Sequence, residues 1–243
     1  MTTQREDRIG GAEGKLHEFP DEWKEGVYRA IYARRDIRSQ FKPDPIAEDV
    51  LARILRAAHH APSVGFMQPW DFILIRDVAI KQKIREDFER ATEEAAVKFA
   101  PEKEAVYRKL KLEGIREAPI NICVTCDRRR FGPVVIGRTS QPVMDLFSSV
   151  CAVQNLWLAA RAEGLGVGWV SILHPRELRR ILALPAEVEP IAYLCVGHVT
   201  EFPDRPELES AGWLPRMPLG DVIRLDGWDT PIQNKWEELE AEL

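Results

Sequence analysis

Apolar residues recur along this chain with two different periods, and the change of period marks the elements. From Ile46 to His60 the apolar positions Ile46, Val50, Leu51, Ile54, Leu55 and Ala58 fall on one face of a helix. Asp21 to Arg34 carries an acidic start and helical spacing, which predicts an earlier helix. Trp70 to Ile75 is read as a strand, and the nearly continuous apolar run Ile120 to Cys126 as a buried strand. Met144 to Glu163 is apolar on most sides, so a buried helix is expected, closed by Gly164. A strand through Trp169, a short helix over Glu177 to Leu182, a strand over Ile191 to Gly197 and a late strand over Asp221 to Leu225 complete the prediction.

Between the first two strands the pattern weakens. Ala79 to Glu117 is helical in spacing but heavily charged, with breaks near Pro101 and Gly114. It is expected as a helical insertion, with residues 90–118 forming a lid. Residues 1–20 are polar and are expected to be flexible. The remainder, 21–243, is read as one domain with a C-terminal arm from about residue 201, rich in proline and tryptophan and suited to bury itself on a partner subunit. Strands alternating with helices predict a mixed sheet covered by helices.

Composition narrows the function. The chain has 243 residues, 45% of them hydrophobic and 30% charged, with net charge −5. That is an ordinary globular composition, and the acidic balance argues against nucleic acid or an anionic membrane as partner. No apolar run approaches a membrane span, and the polar N-terminus does not read as a signal peptide, so a cytoplasmic protein with reduced cysteines is expected. Cys123 and Cys126 have the CxxC spacing, open to a reading as core thiols or as a redox or metal pair. No metal site is expected; His59 and His60 lack a carboxylate spaced to complete one.

Against this background one segment stands out. Arg34-Arg35-Asp36-Ile37-Arg38 places three guanidinium groups around one carboxylate. Arginine forks match phosphate and carboxylate oxygens, so the segment is a candidate anion site, and Asp36 is either a local counter-charge or a group with its own task. The glycines of Gly164-Leu165-Gly166-Val167-Gly168-Trp169 lack the GxGxxG spacing. They are read either as a helix end and turn or as a strand approached closely by a flat ligand.

Together with Ala61-Pro62-Ser63, Gln68-Pro69-Trp70, Glu117-Ala118-Pro119, the glycine run to Trp169, and Arg216, that segment resembles the flavin-binding nitroreductase superfamily over about residues 34–218. The resemblance implies an α+β nitroreductase-like fold and an interlocked homodimer whose C-terminal extension packs on the partner. It implies FMN binding by Arg34, Arg35, Asp36, Ile37, Arg38, Ser63, Gly65, Ser171 and Arg216.

His59-His60-Ala61-Pro62-Ser63-Val64-Gly65-Phe66-Met67-Gln68-Pro69-Trp70, Gly166-Val167-Gly168-Trp169-Val170-Ser171-Ile172 and Asp36, where ordinary members carry Ser or Thr, are similar to a flavin-consuming branch of the superfamily. In that branch reduced FMN is a substrate. With dioxygen it is broken down to 5,6-dimethylbenzimidazole, the lower ligand of vitamin B12, and erythrose 4-phosphate. Asp36 and Ser171 are then the candidate catalytic residues, and a separate NAD(P)H-dependent flavin reductase is the implied supplier of reduced FMN. The alternatives are an NAD(P)H-dependent nitroreductase or flavin reductase, a dehalogenase, and a non-catalytic flavin-binding module.

Overall fold

A computed structural model of the chain describes residues 18–231. The expected flexible N-terminal segment therefore lies almost wholly outside the described residues, as does the end of the C-terminal arm. Four strands, β1 (Trp70–Ile75), β2 (Ile120–Asp127), β3 (Leu165–Val170) and β4 (Val188–His198), form a sheet in the order β1-β2-β4-β3. The named strands pair antiparallel throughout. Among the described residues parallel pairing is confined to a single bridge, Asp36 to Val167, so the sheet is less mixed than the alternation of elements suggests. The connection from Ile75 to Ile120 is long enough to return the chain in either direction, which removes the constraint that would force a parallel neighbour.

Helices cover both faces. Helix α2 (Glu48–His59) and helix α5 (Met144–Ala162) bury Leu51, Ile54, Ala58, Val153, Leu156 and Ala160 with the Ile120, Ile122 and Val124 side of β2. Helix α3 (Val78–Ala96) and helix α6 (Pro175–Ile181) close the other face, where Ile84, Phe88 and Leu178 meet Cys123, Tyr193 and Cys195. Side chains alternate across a strand, so Cys123 and Cys126 point to opposite layers: Cys123 lies in the α3/α6 core and Cys126 faces Ser149 of α5. Burial pushes the Cys123 thiol up to about 12 and Cys126 to about 11. All four cysteines are free, and with its two thiols buried in opposite layers the CxxC spacing here is a pair of core thiols. Among the described residues no helix is long and apolar enough to cross a membrane.

The charged insertion is only partly an outwork. It comprises α3, helix α4 (Pro101–Tyr107) and an irregular run to Pro119, and it buries Ala96, Tyr107, Glu113, Ile115 and Ala118. The end of the segment expected as a lid, from Leu112 to Ala118, is thus packed into the core under the sheet. The late strand is absent. Leu219–Val222 is a 3-10 turn behind Pro218, and Arg224 and Pro231 form one isolated bridge. Helix α1 (Asp21–Ala33) has no buried residue, although Trp23, Val27, Tyr28, Ile31 and Tyr32 project from it.

Candidate active site

The segment after α1 runs along the edge strand β3. Ile37 N donates to Val167 O at 3.0 Å, and Asp36 pairs with Val167 as an isolated bridge. A Cβ on Gly168 would stand 2.0 Å from Ile37 O, and one on Gly166 would lie 2.4 Å from Val199 and 2.9 Å from Ile37. The glycines of β3 therefore admit the chain's own 36–38 segment, which accounts for them without a ligand. Ile37 is fully buried, so only its main chain can face a bound molecule.

This crossing seats Asp36. Its Oδ1 accepts the Trp169 N–H at 2.9 Å, and its Oδ2 accepts from Arg38 Nη2 at 2.5 Å. Burial pushes the Asp36 carboxyl above its ordinary range, against Arg38, the Trp169 N–H and Arg34, which favour the charged form. Asp36 thus keeps its proton to higher pH than a solvated aspartate.

The tail closes the other side. A cleft is lined by Arg34, Arg35, Asp36, Arg38, Pro206, Glu207, Leu208 and Arg216. Four arginines against two carboxylates leave it positive, which suits a phosphate. The arginines are not equivalent. Arg35 donates to the carbonyls of Tyr32, Arg34 and Asp204, which splints α1 to the tail. Its Nε is buried without a hydrogen-bond partner. Arg38 is buried and holds both Asp36 and Glu207. Arg34 lies over the Trp157 ring, 4.8 Å from its centroid, and the Trp157 Nε1–H reaches Arg35 O at 3.3 Å. Burial pulls Arg34 below its ordinary range, Asp36 opposes this, and Arg35 and Arg216 add to it by like charge. Arg34 and Arg216 form no ion pair among the described residues, so their donors are the ones open to an incoming anion.

The remaining predicted residues sit elsewhere. Ser171 follows β3 two residues beyond Trp169, roughly 7 Å along the strand, and lines an apolar recess with Leu173, Leu178 and Tyr193. Ser63 and Gly65 lie at the far end of α5, where Val64 N donates to Ser148 Oγ at 3.2 Å and Ser63 Oγ accepts from Gln68 N at 3.1 Å. From Ser148 to Trp157 the helix climbs about 13 Å, so one chain does not bring Ser63 and Gly65 to the arginine cleft. The Ser63–Gln68 turn is strained, with φ of +60° at Gly65, 52° at Phe66 and 41° at Gln68. Val135 and Ile136 close on Gly65 so tightly that a Cβ would meet them at 2.6 and 2.7 Å. Glu207, Gln40 and Trp157 belong to the cleft or support it and carry no local sequence signal; only folding brings Glu207 across 169 positions to Arg38.

Helices on both faces of a four-stranded antiparallel sheet, with a cationic cleft at the edge strand, define an α+β fold with one positive cleft built from its arginine segment and its tail. A crystal structure titled as oxidized iodotyrosine deiodinase bound to FMN and 3-iodo-L-tyrosine shares this fold, with a TM-score of 0.66 and 23% identity over 83% of this chain and 100% of that one. The chain belongs to the nitroreductase family, whose sequence model matches residues 31–198. It is 42% identical to a 5,6-dimethylbenzimidazole synthase of Rhodospirillum rubrum over 82% of this chain and 94% of the relative. A protein of the same name from Rhodobacter capsulatus is 38% identical over 82% of this chain and 96% of the relative.

Proposed function

We propose that this enzyme consumes reduced FMN with dioxygen and releases 5,6-dimethylbenzimidazole and erythrose 4-phosphate. The observation that carries this reading is a carboxyl of raised proton affinity, Asp36, fixed on the floor of an arginine-lined cleft. A site that merely anchored a phosphate would gain nothing from that acid. The names of the two relatives above support the same reading.

The cleft fits FMN. Arg34 and Arg216 take the phosphate as charge-assisted forks. Arg38 faces the polar edge of the ring. When bound, reduced FMN and dioxygen supply the oxidative chemistry. Asp36 accepts or returns a proton at its carboxyl, and Ser171 offers a hydroxyl from the end of β3. The remote phosphate anchor holds the substrate while its ring is rearranged.

Two subunits complete this site in the proposal. Ser63 and Gly65 come from the partner, which explains why they stand about half the length of α5 from the arginines. The bare apolar face of α1, together with Phe147, Val150, Leu214 and Met217, supplies surface for the dimer. The outer part of the insertion, before Leu112, covers the ring and excludes water. A separate NAD(P)H-dependent flavin reductase delivers the reduced flavin.

Incubating the purified protein with chemically reduced FMN in air, then searching for dimethylbenzimidazole by mass spectrometry, tests the reading. The benzimidazole is expected. Recovery of intact FMN alone would leave a flavin-binding module, and steady NAD(P)H oxidation with a nitroaromatic would leave a nitroreductase.

A further inference from the structure

We infer that Glu207 is a positioning residue of the cleft, clamping Arg38 so that one arm of its guanidinium is committed to Asp36. Glu207 Oε2 accepts from Arg38 Nη1 at 3.3 Å, and Glu207 Oε1 accepts from Gln40 Nε2 at 2.6 Å. Gln40 Oε1 in turn accepts the Arg38 main-chain N–H at 3.2 Å. The four groups form a closed ring that holds Arg38 by both its backbone and its side chain. The remaining arm of Arg38 reaches Asp36. A long arginine side chain has many rotamers, and a ring of this kind removes them before any ligand arrives.

Glu207 sits on helix α7 (Glu207–Ser210), and this short element is fixed from both sides. Arg35 donates to Asp204 O just before it. Just after it, Trp213 packs on Phe99 at 5.3 Å and on Tyr107 at 6.1 Å, with Lys103 over its ring. The tail thereby holds the cleft carboxylate and the helical insertion in one connected piece.

The clamp has a chemical consequence. Arg38 divides its charge between two acids, so it stabilises the Asp36 carboxylate less than a dedicated partner would. The charged groups facing Asp36 are Arg34 and Arg38 from its own segment and Glu207 and Arg216 from the tail, with the Trp169 N–H from β3 and the buried Cys195 thiol nearby. Of these, Glu207 is the one that favours the protonated acid by charge.

This inference rests on the flavin reading for its importance, but its test uses ligand-free protein. Side-chain carboxyl carbons are followed by 13C NMR against pH, and the Asp36 signal is assigned by its loss in Asp36→Asn. In Glu207→Gln, which keeps the shape and removes the charge, the Asp36 midpoint should move down. In Gln40→Leu, which keeps every charge, the Arg38 side-chain N–H protons should exchange about tenfold faster. A purely structural Glu207 would leave the Asp36 midpoint of a folded Glu207→Gln protein where it was, and that result overturns the assignment. Should Glu207→Gln not fold, unchanged Arg38 exchange in Gln40→Leu overturns it instead. Failure to make dimethylbenzimidazole would remove the proposed function and leave both readouts intact.

Discussion

The Asp36 carboxylate and the Trp169 main-chain N–H meet at 2.9 Å, so the one acid of the arginine segment is docked on the backbone of the edge strand. Its second oxygen is held by Arg38 at 2.5 Å. Both oxygens being fixed, the carboxyl can exchange a proton without first reorienting.

Asp36→Asn separates binding from chemistry. The amide oxygen can still accept from Trp169, so the fold and the arginine cleft should persist. Dimethylbenzimidazole formation is expected to fall by about 10²–10⁴, the usual contribution of a general acid or base. FMN affinity, read by quenching of flavin fluorescence, should change by no more than about fivefold. Undiminished product would exclude Asp36 from the chemistry.

Gly168 predicts a different kind of loss. An added methyl would press on the Ile37 carbonyl, main chain against main chain, and would open the Ile37–Val167 hydrogen bond. Gly168→Ala should cost about 1–3 kcal/mol in denaturant unfolding and should weaken FMN binding, because the displaced segment carries Asp36 and Arg38. Gly164→Ala is the control. Its φ is +75°, yet nothing lies within 4 Å of the added carbon, so about 1 kcal/mol of backbone strain is expected with FMN affinity retained. Equal loss of affinity in both variants would refute the close-approach account.

Much of this arrangement was legible in the sequence, and what was not has a physical cause. Helix α2 follows from its periodic apolar face, while strands β1 and β2 and helix α5 follow from nearly continuous apolar runs. Arg34, Arg35 and Arg38 could be named because arginine forks in a cluster imply an anion, Arg216 only through the family resemblance, and the fold does bring them to one cleft. Strand directions were not readable, because long helical connections permit either sense. Glu207 was not readable either. It is one acid among several in a proline-rich tail, and its role exists only through Arg38 and Gln40, both far away in the chain. The late strand was over-read, since Val222 and Ile223 are too short an apolar pair to claim a sheet edge.

Arg34 and Arg216 should act on the phosphate and on little else. Each is expected to contribute about 1.5–3 kcal/mol to FMN binding, so Arg34→Ala and Arg216→Ala should each weaken it by ten- to a hundredfold, roughly. Riboflavin, which lacks the phosphate, should bind both variants almost as it binds the parent. Arg34→Lys keeps the charge but loses the fork and its stacking on Trp157, and should fall between. Equal losses for riboflavin and FMN would mean that the arginines support the fold and do not hold the phosphate.

His174 makes stability depend on pH. Its ring lies between two carboxylates, Nδ1 at 2.9 Å from Asp87 and Nε2 at 3.0 Å from Glu94, and its main-chain N donates to Asp87 at 2.8 Å. Asp87 is buried on α3 and also pairs with Arg90, which lies 3.9 Å from Glu177 of α6. Hydrogen bonds to Asp87 and then to Glu94 raise the His174 pKa above its ordinary 6.5. A group whose folded pKa is raised stabilises the fold fully below its unfolded pKa and loses that contribution as pH climbs through the folded value. The tie between α3 and α6 should therefore be strongest below about pH 6.5 and weaken above it. Urea unfolding of the parent at about pH 5.5 and about pH 8.5 should show part of its stability lost at the higher pH. His174→Gln, which cannot take up the proton, should flatten that portion of the profile, and Glu94→Gln should reduce it while keeping the bond to Asp87. A His174→Gln protein with the parent's full pH dependence would place the titrating group elsewhere.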